Sequence, residues 1–231
     1  MDLTYSENFV YRHDNPYHER LKAFDDFVLR DHEGESLAGR WREVFNRNAP
    51  LCVEVGSGYG HFMMEYCAKN PHINYVGMDY RFKRSFNLAR KLNRHPVKNF
   101  KLLRARAERL ALLFAKGEVD ELFCFFPDPW PKARHNKRRI LQDAFFQACH
   151  RVLKSSGKLY IKTDHEAYAD WIEEIIVKNK LFDLHLSTRN LWKEHPHIFL
   201  CSFKTKFEKI FLTQDTPIKA YILSSREINN V

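Results

Sequence analysis

A carboxylate fixed between two prolines is the group in this chain best placed to do chemistry. The run Phe125-Phe126-Pro127-Asp128-Pro129-Trp130-Pro131-Lys132-Ala133-Arg134-His135 passes from an apolar stretch into cations. Pro127 and Pro129 lock their own φ and push the preceding residues toward extended conformations, so Asp128 sits on a stiff loop with few alternative orientations. Trp130 offers a flat apolar face beside it. A helix is predicted over Arg138, Arg139, Ile140, Leu141, Phe145 and Phe146, and the basic turn entering it attracts a polyanion. The loop reads as a pocket edge that meets phosphate.

A second candidate is Glu54-Val55-Gly56-Ser57-Gly58-Tyr59-Gly60. Three glycines after a short apolar run let a ligand approach the backbone where no Cβ intervenes. Their spacing is G-x-G-x-G, whereas a dinucleotide fold uses G-x-G-x-x-G to bring pyrophosphate to a helix N-terminus. Glu54 would oppose a pyrophosphate and favour a cation, a preference that the sulfonium and ammonium of S-adenosylmethionine satisfy. Asp79 ends the next apolar run, where a carboxylate can accept from ribose hydroxyls or simply cap a turn.

The elements that position these groups follow from apolar periodicity. Strands are predicted at Leu51–Val55, Ile73–Met78, Asn99–Leu103, Glu121–Phe126 and Gly157–Thr163, each followed by a helical pattern. Alternation at this spacing implies an α/β fold with parallel βαβ units, and ligands in such sheets bind at the carboxyl ends of the strands. That rule gathers Glu54, Asp79, Asp128 and Asp164 at one edge. The segments Phe182–Ser187 and Phe199–Phe211 are expected to close the sheet as an antiparallel pair. Residues 1–50 form an N-terminal extension with helical spacing at Tyr17–Leu29 and Leu37–Phe45, preceding a main domain over 51–231. Tyr11, Arg12, Arg20 and Lys22 add basic and aromatic groups there.

Composition bounds the partners. The 231 residues, 44% hydrophobic, suffice for one sizeable core. The net charge of +9 is concentrated: residues 81–139 hold 17 Lys/Arg against 5 Asp/Glu, and the remainder is slightly acidic. Such a segment points to an anionic partner, or to a solvated basic surface. Cysteines 52, 67, 124, 149 and 201 lack C-x-x-C spacing and lie among apolar neighbours, as reduced buried thiols do. The first residues lack the pattern of a secretory signal, no apolar run reaches membrane-span length, and the histidines show no metal-ligand spacing, so a cytoplasmic protein without metal is expected.

The turn Glu54–Gly60, the loop Asp128-Pro129-Trp130-Pro131-Lys132-x-x-His135-x-Lys137-Arg138-Arg139, the strand end Lys162-Thr163-Asp164 and the run Thr205-Lys206-Phe207-Glu208 together resemble the bacterial tRNA (guanine-N7)-methyltransferase family over about residues 50–220. The resemblance implies a class I S-adenosylmethionine-dependent methyltransferase fold, Rossmann-like, with a mostly parallel seven-stranded sheet and an antiparallel C-terminal hairpin. It implies methylation at N7 of a variable-loop guanosine of tRNA. By motif, Glu54, Gly56, Gly58, Gly60, Asp79, Arg106 and Asp128 fall at cofactor positions, with Asp128 also catalytic. Lys132, Asp164, Thr205, Lys206, Phe207 and Glu208 fall at substrate positions. Arg81, Lys83, Arg84, Arg134, Lys137, Arg138 and Arg139 are candidates for the tRNA backbone. In two places the chain departs from the pattern. Arg106-Ala107-Glu108 stands where similar proteins carry an acidic residue that receives the adenine amino group, leaving Glu108 or a backbone carbonyl for that role. Asp215 stands where they carry glycine.

Guanine N7 bears an exposed lone pair and is a nucleophile at neutral pH, so the reaction needs alignment and charge placement more than a general base. Positive charge developing on the purine would be stabilised by Asp128 or Asp164. Lys132 beside that purine suits a phosphate anchor. Two other readings are compatible with the sequence: a methyltransferase of this fold acting on another RNA or a small metabolite, and an RNA-binding protein with a cofactor site impaired around Arg106. The sequence leaves monomer, homodimer and heteromeric complex open.

Overall fold

The computed structural model describes residues 14–30 and 32–227. Tyr11 and Arg12 lie outside the described residues. Eight strands make one sheet: β1 (Val28–Arg30), β2 (Leu51–Val55), β3 (Asn74–Met78), β4 (Phe100–Arg104), β5 (Val119–Phe125), β6 (Leu153–Thr163), β7 (Phe182–Thr188) and β8 (Lys219–Ser225). Their order is β1-β4-β3-β2-β5-β6-β8-β7. Pairings among β1 to β6 are parallel, and β8 runs antiparallel to both β6 and β7. The chain winds from β2 through β3 to β4 in one direction and from β5 to β6 in the other. Connections therefore diverge at the β2/β5 junction and leave a crevice over the carboxyl ends of those strands.

Period-two alternation divides the core between the two sheet faces. Leu51, Val53 and Val55 of β2 pack with Val76, Met78, Leu122 and Cys124, while Cys52 packs with Tyr75, Phe123 and Phe125. All five cysteines are buried and free. No helix of the described residues is long and apolar enough to cross a membrane. They contain no group of three or more His, Cys, Asp or Glu suited to a metal ion.

Four expectations change. The sheet has eight strands, not seven, because the N-terminal segment supplies β1. Helical spacing over Tyr17–Leu29 yields a helix only at Pro16–Leu21, which Asn15 caps by accepting from the Tyr17 N–H at 3.0 Å, and a 3-10 turn at Lys22–Phe24. The chain then reverses, and apolar Phe27 and Val28 cover the open edge of β4, with Phe27 O accepting from the Leu102 N–H at 2.9 Å.

The closing hairpin is β7 with β8, not Phe199–Phe211. Thr205 and Glu208 form a capping box, each side chain accepting from the other's backbone N–H, and this starts the helix Lys206–Thr213. Finally, the helix expected from Arg138 begins at Asp143. Residues 133–138 make a 3-10 turn, and the Leu141 N–H is taken by the Tyr168 hydroxyl at 3.1 Å and so is unavailable to a helix.

Trp41 ties the N-terminal segment into the main core. It is fully buried, stacks on Phe114 at 5.2 Å, and donates its indole N–H to Leu113 O at 2.8 Å. Trp41→Ala should cost about 3–5 kcal/mol of unfolding free energy, the range for removing a large buried aromatic. Urea denaturation checks this, and a loss below about 1 kcal/mol would make the segment peripheral to the core.

Candidate active site

The crevice at the β2/β5 junction is a cavity of about 780 Å³, within the size range of small-ligand sites. Its floor begins with the β2 turn. Gly56, Gly58 and Gly60 have φ of 86°, 56° and 73°, in the left-handed region that favours glycine. Gly60 is needed for space as well, since a Cβ there would lie 2.2 Å from Leu88 Cδ1. The Gly56 and Ser57 N–H groups both donate to Met78 O at 2.9 and 2.8 Å, which pins the turn against the end of β3.

Two carboxylates are buried in this floor. Glu54 accepts from the Tyr75 hydroxyl at 3.0 Å. Burial pushes its carboxyl up to about 7 against the hydroxyls of Ser57 and Tyr75, and Asp79 adds to the rise. Asp79 accepts from the Gly58 N–H at 3.1 Å, the Arg81 N–H at 2.9 Å and the Arg84 guanidinium at 3.4 Å. Burial raises its pKa too, and these donors oppose the rise. A cation bound beside Glu54, whose carboxyl is held at about 7, would favour its ionised form.

The proline loop forms a second wall. Phe126 and Trp130 adopt φ of 51° and 44°, unusual for large side chains, on either side of Asp128. The Phe126 N–H donates to Lys162 O at 2.8 Å, and the Arg139 guanidinium donates to Pro129 O at 2.9 Å. Arg139 is buried over the rings of Tyr168 and Trp171, at 5.0 and 5.3 Å. It braces the loop from within, so it is not placed as a free backbone cation. Asp128 itself is 67% exposed and meets Arg81 at 3.5 Å. Arg138 lies over the Trp130 ring at 5.0 Å.

The third wall comes from the helix Lys206–Thr213. Thr205, Lys206 and Phe207 line the cavity, but Glu208 points inward. Both its oxygens lie 2.9 Å from the Lys162 ammonium, and it also accepts from the Trp192 indole N–H at 3.0 Å and the Thr205 N–H at 3.3 Å. With no exposed surface, Glu208 is placed to hold the wall and not to touch a ligand, contrary to its expected role. Asp215, at the end of this helix, has φ of 51°. Asp tolerates this left-handed conformation better than most residues.

Of the expected site residues, Glu54, Gly56, Gly58, Asp79, Arg81, Arg84, Arg106, Asp128, Lys137, Arg138, Arg139, Thr205, Lys206 and Phe207 line one cavity. Gly60, Lys83, Lys132, Arg134, Asp164 and Glu208 do not. Arg106 pairs with Glu108 at 3.3 Å and lies over the Tyr80 ring at 5.5 Å, so the acidic group expected to compensate is in the cavity beside it. Sequence reasoning missed Tyr59, His61 and Tyr80 as lining residues. Tyr80, two residues beyond the end of β3 and next to Asp79, could have been found from position alone.

The strand order and the crevice are those of the class I methyltransferase fold, and the methyltransferase family that the chain matches uses S-adenosylmethionine as cofactor. The chain belongs to the TrmB-like tRNA (guanine-N7)-methyltransferase family: the family model Methyltransf_4, described as "Putative methyltransferase", matches residues 48–221. A bifunctional glycosyltransferase/methyltransferase of Fusobacterium nucleatum subsp. nucleatum is 31% identical over 199 residues, covering 86% of this chain and 30% of that protein. The 16S rRNA methyltransferase KamB superposes with a TM-score of 0.62 at 15% identity, over 82% of this chain and 94% of that one. The 16S rRNA (adenine(1408)-N(1))-methyltransferase of Catenulisporales acidiphilia, solved with cosubstrate SAM, gives 0.55 at 12% identity over 84% and 93%. At these identities the solved structures share the fold.

Glu54 gives the site a pH signature. With its folded pKa raised from 4.5 to about 7, it favours folding most below the lower value, and that contribution is lost as pH rises through 7. A cationic cofactor prefers the ionised form, so S-adenosylmethionine affinity should rise with pH up to about 7 and binding near pH 6 should release a proton. Titration calorimetry in two buffers of different ionisation enthalpy measures that release. Glu54→Gln should weaken binding and abolish the proton release, and an unchanged release in this variant would assign it to another group.

Proposed function

We propose that this protein transfers a methyl group from S-adenosylmethionine to N7 of a guanosine in the variable loop of tRNA. The observation that carries the reading is the composition of one cavity: buried carboxylates on its floor, and cations with exposed rings at its rim. An acidic floor suits a cationic cofactor. A basic rim carrying Tyr80 and Phe207 suits an RNA nucleotide presented out of its stack. Family membership supports the choice of tRNA and N7.

Residues fit the cofactor on three counts: the glycine turn admits close backbone approach, Glu54 and Asp79 supply acceptors, and the volume is adequate. The cofactor supplies a methyl group on a positively charged sulfur. The chain's part is to place the N7 lone pair in line with that methyl carbon. Positive charge reaching the purine with the methyl group would be stabilised there by the Asp128 carboxylate. No proton leaves N7, so no base is required. Thr205, Lys206 and Phe207 hold the nucleotide from the opposite wall, and Asp164 and Lys132, outside the cavity lining, serve the flanking RNA.

The test is transfer of labelled methyl from S-adenosylmethionine to an unmodified tRNA transcript, mapped by borohydride–aniline cleavage. Wild type should label a single variable-loop guanosine, and Asp128→Ala should lower the rate by about 10²-fold or more, as losing a transition-state contact does. Absence of incorporation by folded wild-type protein would overturn the reading.

A further inference from the structure

Tyr59 is the one residue of the glycine turn that the cofactor argument leaves without a role, and its surroundings are unusual. The ring is 39% exposed at the cavity mouth. Three cations from two separate helices lean on it: Lys206 at 4.5 Å, and Arg84 and Lys91 at 5.7 Å each. Lys91 also donates to Tyr59 O at 3.2 Å, fixing the ring's backbone. Arg84 shares its charge with Asp79. Among the described residues neither Lys91 nor Lys206 has a carboxylate within 4.0 Å. Exposed cations repel one another, and an arrangement that gathers three with a single shared counter-charge, Asp79 at Arg84, is completed by an anion.

The neighbouring His61 reports the same field. Burial lowers its pKa first, and Lys91, Lys209 and Lys206 lower it further. The helices carrying these groups pack on the Phe62 and Leu88 face of the sheet, whereas Arg138 and Trp130 belong to the loop braced on the Tyr168 face. Cations thus flank the cavity from both sides of the sheet.

We propose that Arg84, Lys91 and Lys206, held in register by the Tyr59 ring, form a phosphate clamp for the RNA backbone beside the target nucleotide. The clamp rests on the reading of an RNA substrate. The opposite flank is gripped near Arg138, so the strand crosses the cavity mouth with its target base directed inward. Tyr59 is a positioning residue: it contributes no charge, but its ring holds the charged ends of three cations and so reduces the freedom they lose on binding.

Equilibrium binding of unmodified tRNA transcript, measured from 50 to 300 mM salt, tests this. Lys91→Gln/Lys206→Gln should bind at least tenfold more weakly near 100 mM salt, and the slope of log K against log salt should flatten by about 1 to 2, roughly one per lost phosphate contact. Tyr59→Ala should weaken binding several-fold, with Tyr59→Phe restoring it. Lys91→Gln alone, outside the cavity, should keep its wild-type melting temperature. Wild-type affinity and slope in the double variant would overturn the clamp while leaving methyl transfer to N7 standing. Label appearing on tRNA at another atom, together with a flattened slope in the variant, would sink the N7 reading and support the clamp. Failure of wild type to bind tRNA would overturn both.

Discussion

Lys162 is the residue on which the site's geometry depends, because its backbone and side chain brace different walls of the cavity. Its carbonyl receives the Phe126 N–H at the entrance of the proline loop, and its ammonium reaches both oxygens of Glu208 beneath the helix Lys206–Thr213. The pair is almost wholly inside the protein, with side-chain exposures of 1% and 0%. Burying two ions is unfavourable unless each is paired and hydrogen-bonded. Here Leu200 O takes the third ammonium proton, while Trp192 and Thr205 donate to the carboxylate. Because an unpaired buried ion costs far more than a paired one, the pair has one workable geometry, and that geometry sets where Thr205, Lys206 and Phe207 stand relative to Asp128.

A second constraint is the separation of charge by depth. Glu54 and Asp79 lie buried at the bottom, while Arg81, Lys206, Lys137 and Arg138 lie at the mouth. The low-dielectric floor strengthens attraction for a cation and makes Glu54 sensitive to whether one is present. The solvated rim attracts polyanions at long range and yields to salt. A cavity with these two layers favours a cation at its floor and an anion at its rim.

The parts legible in the sequence were those encoded by neighbouring residues. Strands β2 to β6 follow from apolar runs, and the ligand edge follows from their alternation with helices, so Glu54, Asp79 and Asp128 could be gathered before any coordinates. What escaped depended on partners distant in the chain. Glu208 reads as an exposed acid on an alternating segment, and only a lysine 46 positions away shows it to be interior. Arg139 reads as one more member of a basic run, yet the Tyr168 and Trp171 rings that bury it come from another helix. The capping box at Thr205 and Glu208 is local and was available, but alternating apolar residues between them favoured a strand reading. Strand β1 is three residues long, too short for periodicity to reveal.

Loop stiffness and side-chain freedom are divided differently at Asp128. The backbone on either side is held in left-handed conformations at Phe126 and Trp130, each costing roughly 1–3 kcal/mol, which persist because Lys162 and Arg139 over-determine the loop. Among the described residues the carboxylate itself is tethered only by an exposed contact with Arg81, an interaction worth no more than about 1 kcal/mol. The protein thus fixes the position of Asp128 and leaves its charge nearly uncommitted. A ligand that brings positive charge to this point can replace Arg81 at small cost, and the freed guanidinium remains at the rim, where an incoming phosphate can take it. Binding of cation and anion would then reinforce each other through a single exchange of partners, without movement of the braced backbone.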